Sequence, residues 1–212
     1  MANNYMPITL SVNDRSCLVV GGGAVALRKV ETLLDYETSI TVISPEVDPK
    51  LESYLRRGKI RLEQRQYRSP EAASYGLVIS ASDEVEVNQT VCEDCRTAGV
   101  LVNVVDDPSR CDFIFPAVIR RDCLTAAVAT DGKAPYVSAH LRVILGSIFP
   151  EHWNKLMRHA TTFRKNVQKR WEADTVKKND CYARFLDADW KTMLKQMSPE
   201  EIQEELNRML GE

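Results

Sequence analysis

Apolar and polar positions alternate with two different periods through the first half of the chain. Five short apolar or alternating runs predict β-strands, at 17–20, 40–43, 60–66, 77–80 and 101–105. Between them, three stretches with apolar residues three or four positions apart predict helices, at 24–35, 48–58 and 85–98. Strands that alternate with helices are typical of a parallel sheet covered by crossover helices. The first 112 residues are therefore expected to form one α/β domain.

The second half follows another pattern. Two apolar runs, 113–119 and 124–129, flank a polar turn, and a hairpin is the simplest interpretation. From Pro135 onward the pattern is helical, with interruptions predicted near Phe149 and around 177–180. We therefore predict a parallel-sheet domain, a hairpin-containing segment and a small helical domain, at 1–112, 113–147 and 148–212.

Two predicted helices begin with the spacing of a capping box, in which side chains and backbone N–H groups at a helix start bond reciprocally. Asp83 and Glu86 have this spacing before the helix at 85–98, and Ser198 and Glu201 have it before the last helix. Both pairs therefore predict a helix N-terminus.

Composition and charge disfavour several classes of function. The 28 Lys and Arg residues nearly balance the 30 Asp and Glu residues, so the formal net charge of −2 creates no general attraction to nucleic acid or anionic lipid. No apolar run approaches the roughly 20 residues that cross a bilayer, and residues 1–12 lack a signal-peptide pattern. We therefore expect a soluble cytoplasmic protein with no nucleic-acid or membrane partner.

The six cysteines and three histidines form no strong metal or redox motif. Cys92 and Cys95 make a C-x-x-C pair inside a predicted helix, without a second Cys or His pair at zinc-finger spacing. We interpret them as reduced packing or surface residues, with a metal or redox site as the alternative. No resident metal ion is predicted.

A glycine-rich segment follows the first predicted strand and opens the first predicted helix. It consists of Gly21, Gly22, Gly23, Ala24, Val25 and Ala26, which match G-x-G-x-x-A. In this motif the first glycine allows a tight turn, the third lets a pyrophosphate approach the backbone, and the small last residue lets helix and sheet pack closely. The unpaired N–H groups of the helix N-terminus favour the diphosphate charge. We therefore predict a Rossmann-type dinucleotide site rather than a purely structural turn.

The end of the second predicted strand bears on the choice of nucleotide. Dinucleotide sites usually place an acid about 20 residues after the glycines, where it binds the adenosine ribose. Here the chain reads Ser44, Pro45 and Glu46, so either the displaced Glu46 or the backbone of the two preceding residues holds the ribose. No arginine lies nearby in the sequence to receive a 2′-phosphate, which favours NAD over NADP.

Two further strand ends are expected at the same edge, because ligands of open parallel sheets lie beyond the carboxyl ends of the strands. We assign Ser82 and Asp83, after the fourth predicted strand, to cofactor binding, with a helix cap as the alternative for Asp83. Asn103, within the fifth predicted strand, is also assigned to the cofactor. Asp106 ends that apolar strand, so we expect its carboxylate half-buried in a crevice at the nicotinamide end, with a turn-forming residue as the alternative.

Five motifs occur in order along the first two thirds of the chain, at 19–29, 79–88, 103–108, 113–117 and 129–135, and end near Arg142. Together they resemble the precorrin-2 dehydrogenase family, the N-terminal module of siroheme synthases. Ala129 and Ala134 replace serines that many members carry, and Thr130 stands where some members have a regulatory serine.

The resemblance implies that NAD⁺ oxidises precorrin-2, a tetrapyrrole, to sirohydrochlorin, and that Asp106 is the catalytic residue. It also implies a homodimer in which the segment after Phe113 exchanges with the partner, whereas the residues alone suggest an ordinary edge hairpin. Four residues of the matching segments are assigned to substrate binding by the resemblance, namely Thr130, Gly132, Lys133 and Arg142.

A local excess of positive charge suits a tetrapyrrole that carries many carboxylates. Residues 151–178 contain eight Lys or Arg and three acidic residues. Guanidinium and ammonium groups bind carboxylates, so Arg158, Arg164 and Lys165 are predicted to contact the substrate. A solvated helix face is the alternative.

Two alternatives to dehydrogenation alone stay open at this point. Some members of the family also insert ferrous iron into sirohydrochlorin, and nothing in the sequence decides whether this chain does. The other alternative is a non-catalytic module that binds NAD and a tetrapyrrole without turnover. We predict the NAD-dependent oxidation of precorrin-2 in preference to either alternative.

Overall fold

The five predicted strands of the first half form one parallel sheet in this computed structural model, which describes residues 5–211. The strands are β1 (Ser16–Val20), β2 (Ser39–Ile43), β3 (Arg61–Glu63), β4 (Leu77–Ser80) and β5 (Leu101–Val104). Their order across the sheet is β3-β2-β1-β4-β5. The winding direction reverses between β1 and β4, and this is the switch point at which such sheets bind ligands. The expected α/β, Rossmann-type fold is confirmed.

Within residues 5–115, three α-helices pack on the sheet, α1 (Ala24–Leu34), α2 (Pro49–Arg56) and α3 (Val85–Ala98). Successive residues of a strand point to opposite faces, so a strand covered on both sides is apolar throughout. Val30 of α1 packs with Val19 on one face, and Val91 of α3 packs with Leu18 and Val78 on the other. The apolar strands therefore lie between two layers of helices.

Two local features of this domain differ from the prediction. β3 ends at Glu63 rather than at residue 66, because Arg65 N–H turns back to the carbonyl oxygen of Glu63 (2.9 Å). The capping box predicted at Asp83 is wrong, since Glu84 is the N-cap residue of α3 and no side chain caps that helix. Asp83 lies one residue too early, and Ser82 Oγ accepts a hydrogen bond from Glu84 N–H (3.2 Å).

Residues 116–211 form a β-hairpin and a group of helices. The hairpin pairs β6 (Ala117–Arg121) with β7 (Leu124–Val128) in antiparallel register. The helices are α4 (Pro135–Ile148), α5 (Trp153–Arg170), α6 (Thr175–Asp187), α7 (Trp190–Gln196) and α8 (Pro199–Leu210). Helices α5 to α8 share a core that contains Phe163, Val167, Phe185, Trp190 and Leu206.

The starts of two of these helices depend on local caps. The capping box predicted at Ser198 is confirmed, because Ser198 N–H donates to Glu201 Oε2 (2.7 Å) and Glu201 N–H donates to Ser198 Oγ (3.2 Å). The interruption predicted around 177–180 is wrong, since the chain leaves the helical conformation at 171–174. Asp174 caps α6 by accepting from Lys177 N–H (3.0 Å), so the helix begins before the predicted break.

The chain divides into two compact units between Phe115 and Pro116. Phe113 and Phe115 pack against the core of the sheet, so the boundary lies three residues beyond the one predicted at 112. The further division predicted at 147 stays a prediction. None of the helices within residues 5–211 combines the length and the apolar composition needed to span a bilayer.

Candidate active site

Gly21 and Gly22 fill a narrow space between the loops that follow β2 and β4. Gly21 has a φ of +118°, and a Cβ atom there would lie 2.2 Å from the carbonyl oxygen of Ala81. A Cβ atom on Gly22 would lie 2.1 Å from the carbonyl oxygen of Glu46. Because the obstructing atoms are backbone, no larger residue fits at either position unless the loops move. The tight turn that the glycine motif predicts is therefore present.

Gly23 differs from both neighbours because it faces open space. Apart from its two chain neighbours, a Cβ atom there would meet no atom of residues 5–211 within 4 Å. Gly23 is the N-cap residue of α1, no side chain caps this helix, and its first turn contains no acidic residue. The helical bonding begins with Leu27 N–H and Gly23 O (2.9 Å), so the N–H groups of Ala24, Val25 and Ala26 have no intrahelical acceptor. These donors fit the diphosphate of a dinucleotide.

The loop after β2 is held by its backbone and by one buried hydroxyl. Ser44 is buried, and its Oγ donates to Glu46 O (2.6 Å). Asp48 N–H donates to Gly22 O (2.8 Å), which ties this loop to the glycine turn. Pro45 and Glu46 are exposed. Ser44 therefore shapes the loop, and Glu46 directs a carboxylate to solvent beside the glycines.

Arg65, two residues beyond β3, is already paired with carboxylates. Its guanidinium contacts Glu71 Oε1 at 2.7 Å and also pairs with Glu63. Glu63 lies beside Ile43 in the sheet, so this arginine follows the strand next to β2. The charge of Arg65 is therefore balanced by these two carboxylates within the protein.

Asn88 of α3 fixes the loop after β4. Its Oδ1 accepts hydrogen bonds from Ser80 Oγ (2.7 Å) and Ser82 N–H (3.2 Å), and its Nδ2 donates to Ser82 O (2.8 Å). The same loop supplies Ala81, against which Gly21 packs, and the exposed Asp83. No role was predicted for Asn88, although it lies in a motif of the resemblance, because an asparagine inside a helical pattern carries no signal of a tertiary contact.

Asn103 is buried in β5 and forms hydrogen bonds with residues 111–113, which follow this strand in the chain. Its Nδ2 donates to Phe113 O (2.9 Å) and to Cys111 Sγ (3.4 Å), and Val104 N–H donates to the same sulfur (3.2 Å). The nitrogen is thus engaged within the protein. A cofactor contact by Asn103, which stays a prediction, would use Oδ1.

Asp106 lies immediately past the end of the sheet, where Val105 N–H still donates to Ser80 O (2.9 Å). Its φ is +62°, a left-handed conformation that aspartate adopts more readily than most residues with a side chain. Asp107 then turns the chain away and pairs with Arg110 (3.0 Å). The expected half-burial of Asp106 is wrong, because the turning chain does not cover it and its side chain is exposed.

Lys29 of α1 is a second residue near this end of the sheet that sequence reasoning missed. It is half-buried, and its Nζ lies 4.1 Å from the centroid of the Phe115 ring. Its pKa is lowered chiefly by burial, with Asp106 among the charges that act in the opposite direction. A single lysine in a helical pattern reads as an ordinary surface residue, so the sequence carries no signal for this placement.

The loop before α4 contains three of the predicted substrate residues. Asp131 and Gly132 have φ values of +50° and +74°, and Lys133 N–H donates to Thr130 O (2.8 Å). Ala134 is the uncapped N-cap residue of α4, and its N–H donates to Thr130 Oγ1 (3.3 Å). The structure therefore brings Thr130, Gly132 and Lys133 together in one tight turn.

The remaining predicted substrate residues lie on two helices, with Arg142 exposed on α4 and the others exposed on α5. Arg164 lines a cavity of about 750 Å³ that also has Trp153 and Trp190 in its wall. Arg158 lines a different cavity of about 410 Å³ and pairs with Asp122 (3.7 Å). Lys165 lines neither cavity. The structure therefore does not gather the α5 cations into one pocket.

The cysteines of α3 have the environment of packing residues. Cys92 and Cys95 are buried free thiols. Burial is the largest cause that raises the pKa of both thiols, that of Cys95 to about 12, which disfavours the reactive thiolate. Within residues 5–211, no group of three or more Cys, His, Asp or Glu side chains is arranged to hold a metal ion.

Comparison with known sequences assigns the first unit to a family. Residues 8–117 match the family described as "Putative NAD(P)-binding", and this match includes the glycine turn, all five strands and Asp106. The chain belongs to this NAD(P)-binding family. The uncapped N-terminus of α1 and the open space at Gly23 are the features that such a function requires.

The resemblance to siroheme synthases is confirmed by relatives of that name. The chain is 38% identical over 165 residues to "Siroheme synthase" of Methylococcus capsulatus, which covers 78% of this chain and 35% of that protein. It is 35% identical over 186 residues to "Siroheme synthase 3" of Aeromonas hydrophila, which covers 88% of this chain and 40% of that protein. This chain therefore spans less than half the length of these relatives.

A solved structure shares the fold. "SirC, precorrin-2 dehydrogenase" aligns with a TM-score of 0.76 and 21% identity, over 98% of this chain and 100% of that one. The likeness extends beyond the sheet to the hairpin and helices of the second unit.

Proposed function

We propose that this chain catalyses the NAD-dependent oxidation of precorrin-2 to sirohydrochlorin. The observation that carries the proposal is that one edge of the parallel sheet combines two features, the open, uncapped N-terminus of α1 at Gly23 and the exposed carboxylate of Asp106. The first binds a dinucleotide and the second is a candidate base. The names of the relatives and of the similar structure supply the substrate class.

The proposed cofactor is NAD rather than NADP. The exposed Glu46 would repel a 2′-phosphate, and the charge of Arg65 is neutralised by Glu63 and Glu71. The residues proposed to contact the cofactor are Gly21, Gly22, Gly23, Ala24 and Val25 at the diphosphate, Ser44, Pro45 and Glu46 toward the adenosine ribose, and Ser82, Asp83 and Asn103 beyond β4 and in β5.

Oxidation of precorrin-2 removes one hydride and one proton from the macrocycle. When bound, NAD⁺ supplies the hydride acceptor. Asp106 is the proposed catalytic residue, whose carboxylate accepts the proton. Its exposure leaves the carboxylate open to a substrate.

The proposed substrate contacts come from the second unit. A tetrapyrrole with many carboxylates needs cations and N–H donors, and the residues predicted for this role are Thr130, Gly132, Lys133, Arg142, Arg158, Arg164 and Lys165. The four basic side chains of α4 and α5 in this set are exposed, which leaves them accessible to a large anionic ligand.

We further propose that the chain works as a homodimer through α4. This helix buries only Ser138 in the structure, although most of its residues are apolar. Tyr136, Val143 and Ile148 are 77%, 68% and 54% exposed, and so much exposed apolar surface on one helix is unusual for a monomer. A second copy supplies an equivalent apolar helix, so a two-fold contact would cover both faces at once.

The proposed compartment is the cytoplasm. Within residues 5–211, none of the six cysteines forms a disulfide, and five of them are buried. Glutathione and thioredoxin keep cytoplasmic thiols reduced, so cysteines without disulfides are ordinary there.

The catalytic proposal is tested by incubating the protein with precorrin-2 and NAD⁺ and following NADH and the sirohydrochlorin spectrum. Asp106→Asn should lower kcat by about 10²–10⁴-fold with little change in the Kd for NAD, since asparagine keeps the shape and the backbone preference but cannot act as the base. A folded wild-type protein that binds NAD and forms neither product would contradict the proposed reaction.

A further inference from the structure

Lys29 is a half-buried cation that forms no ion pair with the part of the chain that the structure describes. Its Nζ lies over the face of the Phe115 ring, 4.1 Å from the centroid. Among residues 5–211, no carboxylate lies at ion-pair distance from this ammonium. By contrast, Lys50 pairs with Glu31, and Lys177 pairs with Asp174 at 3.6 Å. Lys29 is thus less exposed than these paired lysines and lacks the counter-ion that they have.

An unpaired charge at such a position is unfavourable for folding. Desolvation penalises an ammonium, and the ring face returns only part of that free energy. Burial is the largest cause that lowers the pKa of Lys29 and the Arg28 charge adds to it, while Cys111 and Asp106 act in the opposite direction. Because the described part of the chain gives this ammonium no counter-ion, its position leaves it able to bind one.

The position of Lys29 relates it to the candidate active site. Side chains on a helix lean toward its N-terminus, so Lys29 reaches from the second turn of α1 toward the carboxyl ends of the strands. Asp106 follows β5 at that edge, and its charge acts on Lys29. The diphosphate donors at Ala24, Val25 and Ala26 belong to the turn before.

We propose that Lys29 binds one carboxylate of the substrate beside Asp106. The ammonium would gain a charge-assisted hydrogen bond that the protein itself does not provide, and the Phe115 ring would hold it in place for that bond. This inference rests on the proposed function, because it takes the ligand to be a polycarboxylate tetrapyrrole.

The test compares Lys29→Met with Arg28→Met, which removes the same charge from the adjacent, exposed position of α1. The probe is uroporphyrin, a stable polycarboxylate porphyrin, and its Kd is measured by calorimetry together with the Kd for NAD. We expect Lys29→Met to weaken porphyrin binding by about tenfold, Lys29→Arg to recover part of the loss, and Arg28→Met to stay within about twofold of wild type. None of the three should change the Kd for NAD.

Steady-state kinetics distinguish the role proposed for Lys29 from the proposed oxidation of precorrin-2. If the wild type oxidises precorrin-2, Lys29→Met should raise KM by about the same factor and leave kcat nearly unchanged. Equal porphyrin affinity in Lys29→Met and Arg28→Met, or a loss of NAD affinity confined to Lys29→Met, overturns the assignment of Lys29 even if the enzyme is active. Weaker porphyrin binding by Lys29→Met supports the assignment even if the wild type produces no sirohydrochlorin, a result that would overturn the reaction alone. Thermal unfolding of each variant excludes loss of fold, and Lys29→Gln replaces Lys29→Met if the latter is unfolded.

Discussion

Helices α1 and α4 are both rich in apolar residues, yet they bury very different parts of their surfaces. α1 buries Ala26, Val30 and Leu33 against the sheet. α4 buries only Ser138 in the described structure, and Val143 on this helix is 68% exposed. The first half of the chain therefore completes its own core, whereas the second half carries an apolar helix that its own fold leaves uncovered.

Apolar periodicity therefore predicts a helix but not what the helix packs against. The sheet next to α1 provides a continuous apolar surface within the same unit. α4 contacts the β6–β7 hairpin, a ribbon of two short strands that covers little of the helix. Substitutions on α1 should accordingly change the stability of the first unit, whereas substitutions on α4 should change the association of two copies of the chain.

The largest effect is expected from Val30→Glu on α1. Val30 is fully buried, so the substitution places an unpaired carboxylate in the core and should destabilise the sheet unit by at least about 4 kcal/mol, enough to unfold it. The measurement is chemical denaturation followed by circular dichroism. Val143→Glu is the matched control, and comparable destabilisation by both variants at a concentration where the wild type is monomeric would remove the contrast between the helices.

The next effect concerns the glycine turn of the first unit. Gly21→Ala places a Cβ atom against the backbone of Ala81 at a φ of +118°, and it should lower the free energy of unfolding by about 3 kcal/mol. Gly23→Ala adds its Cβ atom to open space and should leave stability within about 1 kcal/mol of wild type, while it weakens NAD binding by crowding the diphosphate position. Equal stability of the two variants in thermal denaturation would show that the close contact at Gly21 is not rigid.

The third prediction concerns the uncovered face of α4. Val143→Glu should raise the dimer dissociation constant by about 100-fold, because the carboxylate would be desolvated in the proposed interface, and it should leave the fold of the monomer intact. Sedimentation velocity over a concentration series measures this change. A wild-type protein that stays monomeric throughout the series would refute the proposed two-fold contact, and Lys165→Glu on α5 controls for added negative charge.

The smallest effect is a gain in stability from Lys29→Met. Because folding lowers the pKa of Lys29, the unfolded chain binds more protons than the native one between the lowered value and the usual value of 10.5. The burial of the ammonium is therefore fully unfavourable at neutral pH and ceases to matter as the pH rises to the usual value. The variant should be slightly more stable than wild type at pH 7, with the difference shrinking in alkaline solution.

Denaturation curves at several pH values measure this difference. Arg28→Met should show no comparable gain, since Arg28 is exposed. A Lys29→Met protein less stable than wild type at neutral pH would mean that the ammonium already has a favourable environment in the free protein.

Elements bounded by local signals were predicted closely from the sequence. β4 and α3 occupy the predicted positions because a short apolar run and a polar helix are separated by a loop, and Gly99, at a φ of +69°, ends α3. The capping box at Ser198 is equally local. The cofactor turn was found for the same reason, since its glycines, strand and helix are consecutive in the chain.

Features that depend on the path of the chain after an element ends were not predicted. The exposure of Asp106 depends on where the chain turns after β5, and the position of Lys29 depends on the return of Phe115 to the same face of the sheet. The prediction at Asp83 failed for a smaller reason, because the helix begins one residue later than its capping box requires. Periodicity and motif spacing carry no information on such contacts.

In the loop after β2, the backbone of Glu46 supports the fold, and its side chain is available for contact with a ligand. Its carbonyl oxygen accepts from Ser44 and its backbone packs against Gly22, whereas its side chain extends into solvent. Exchanging that side chain therefore alters the charge that a bound nucleotide encounters without loosening the turn beneath it. Substitutions at this one position can change the selectivity for the adenosine moiety without changing the backbone of the loop.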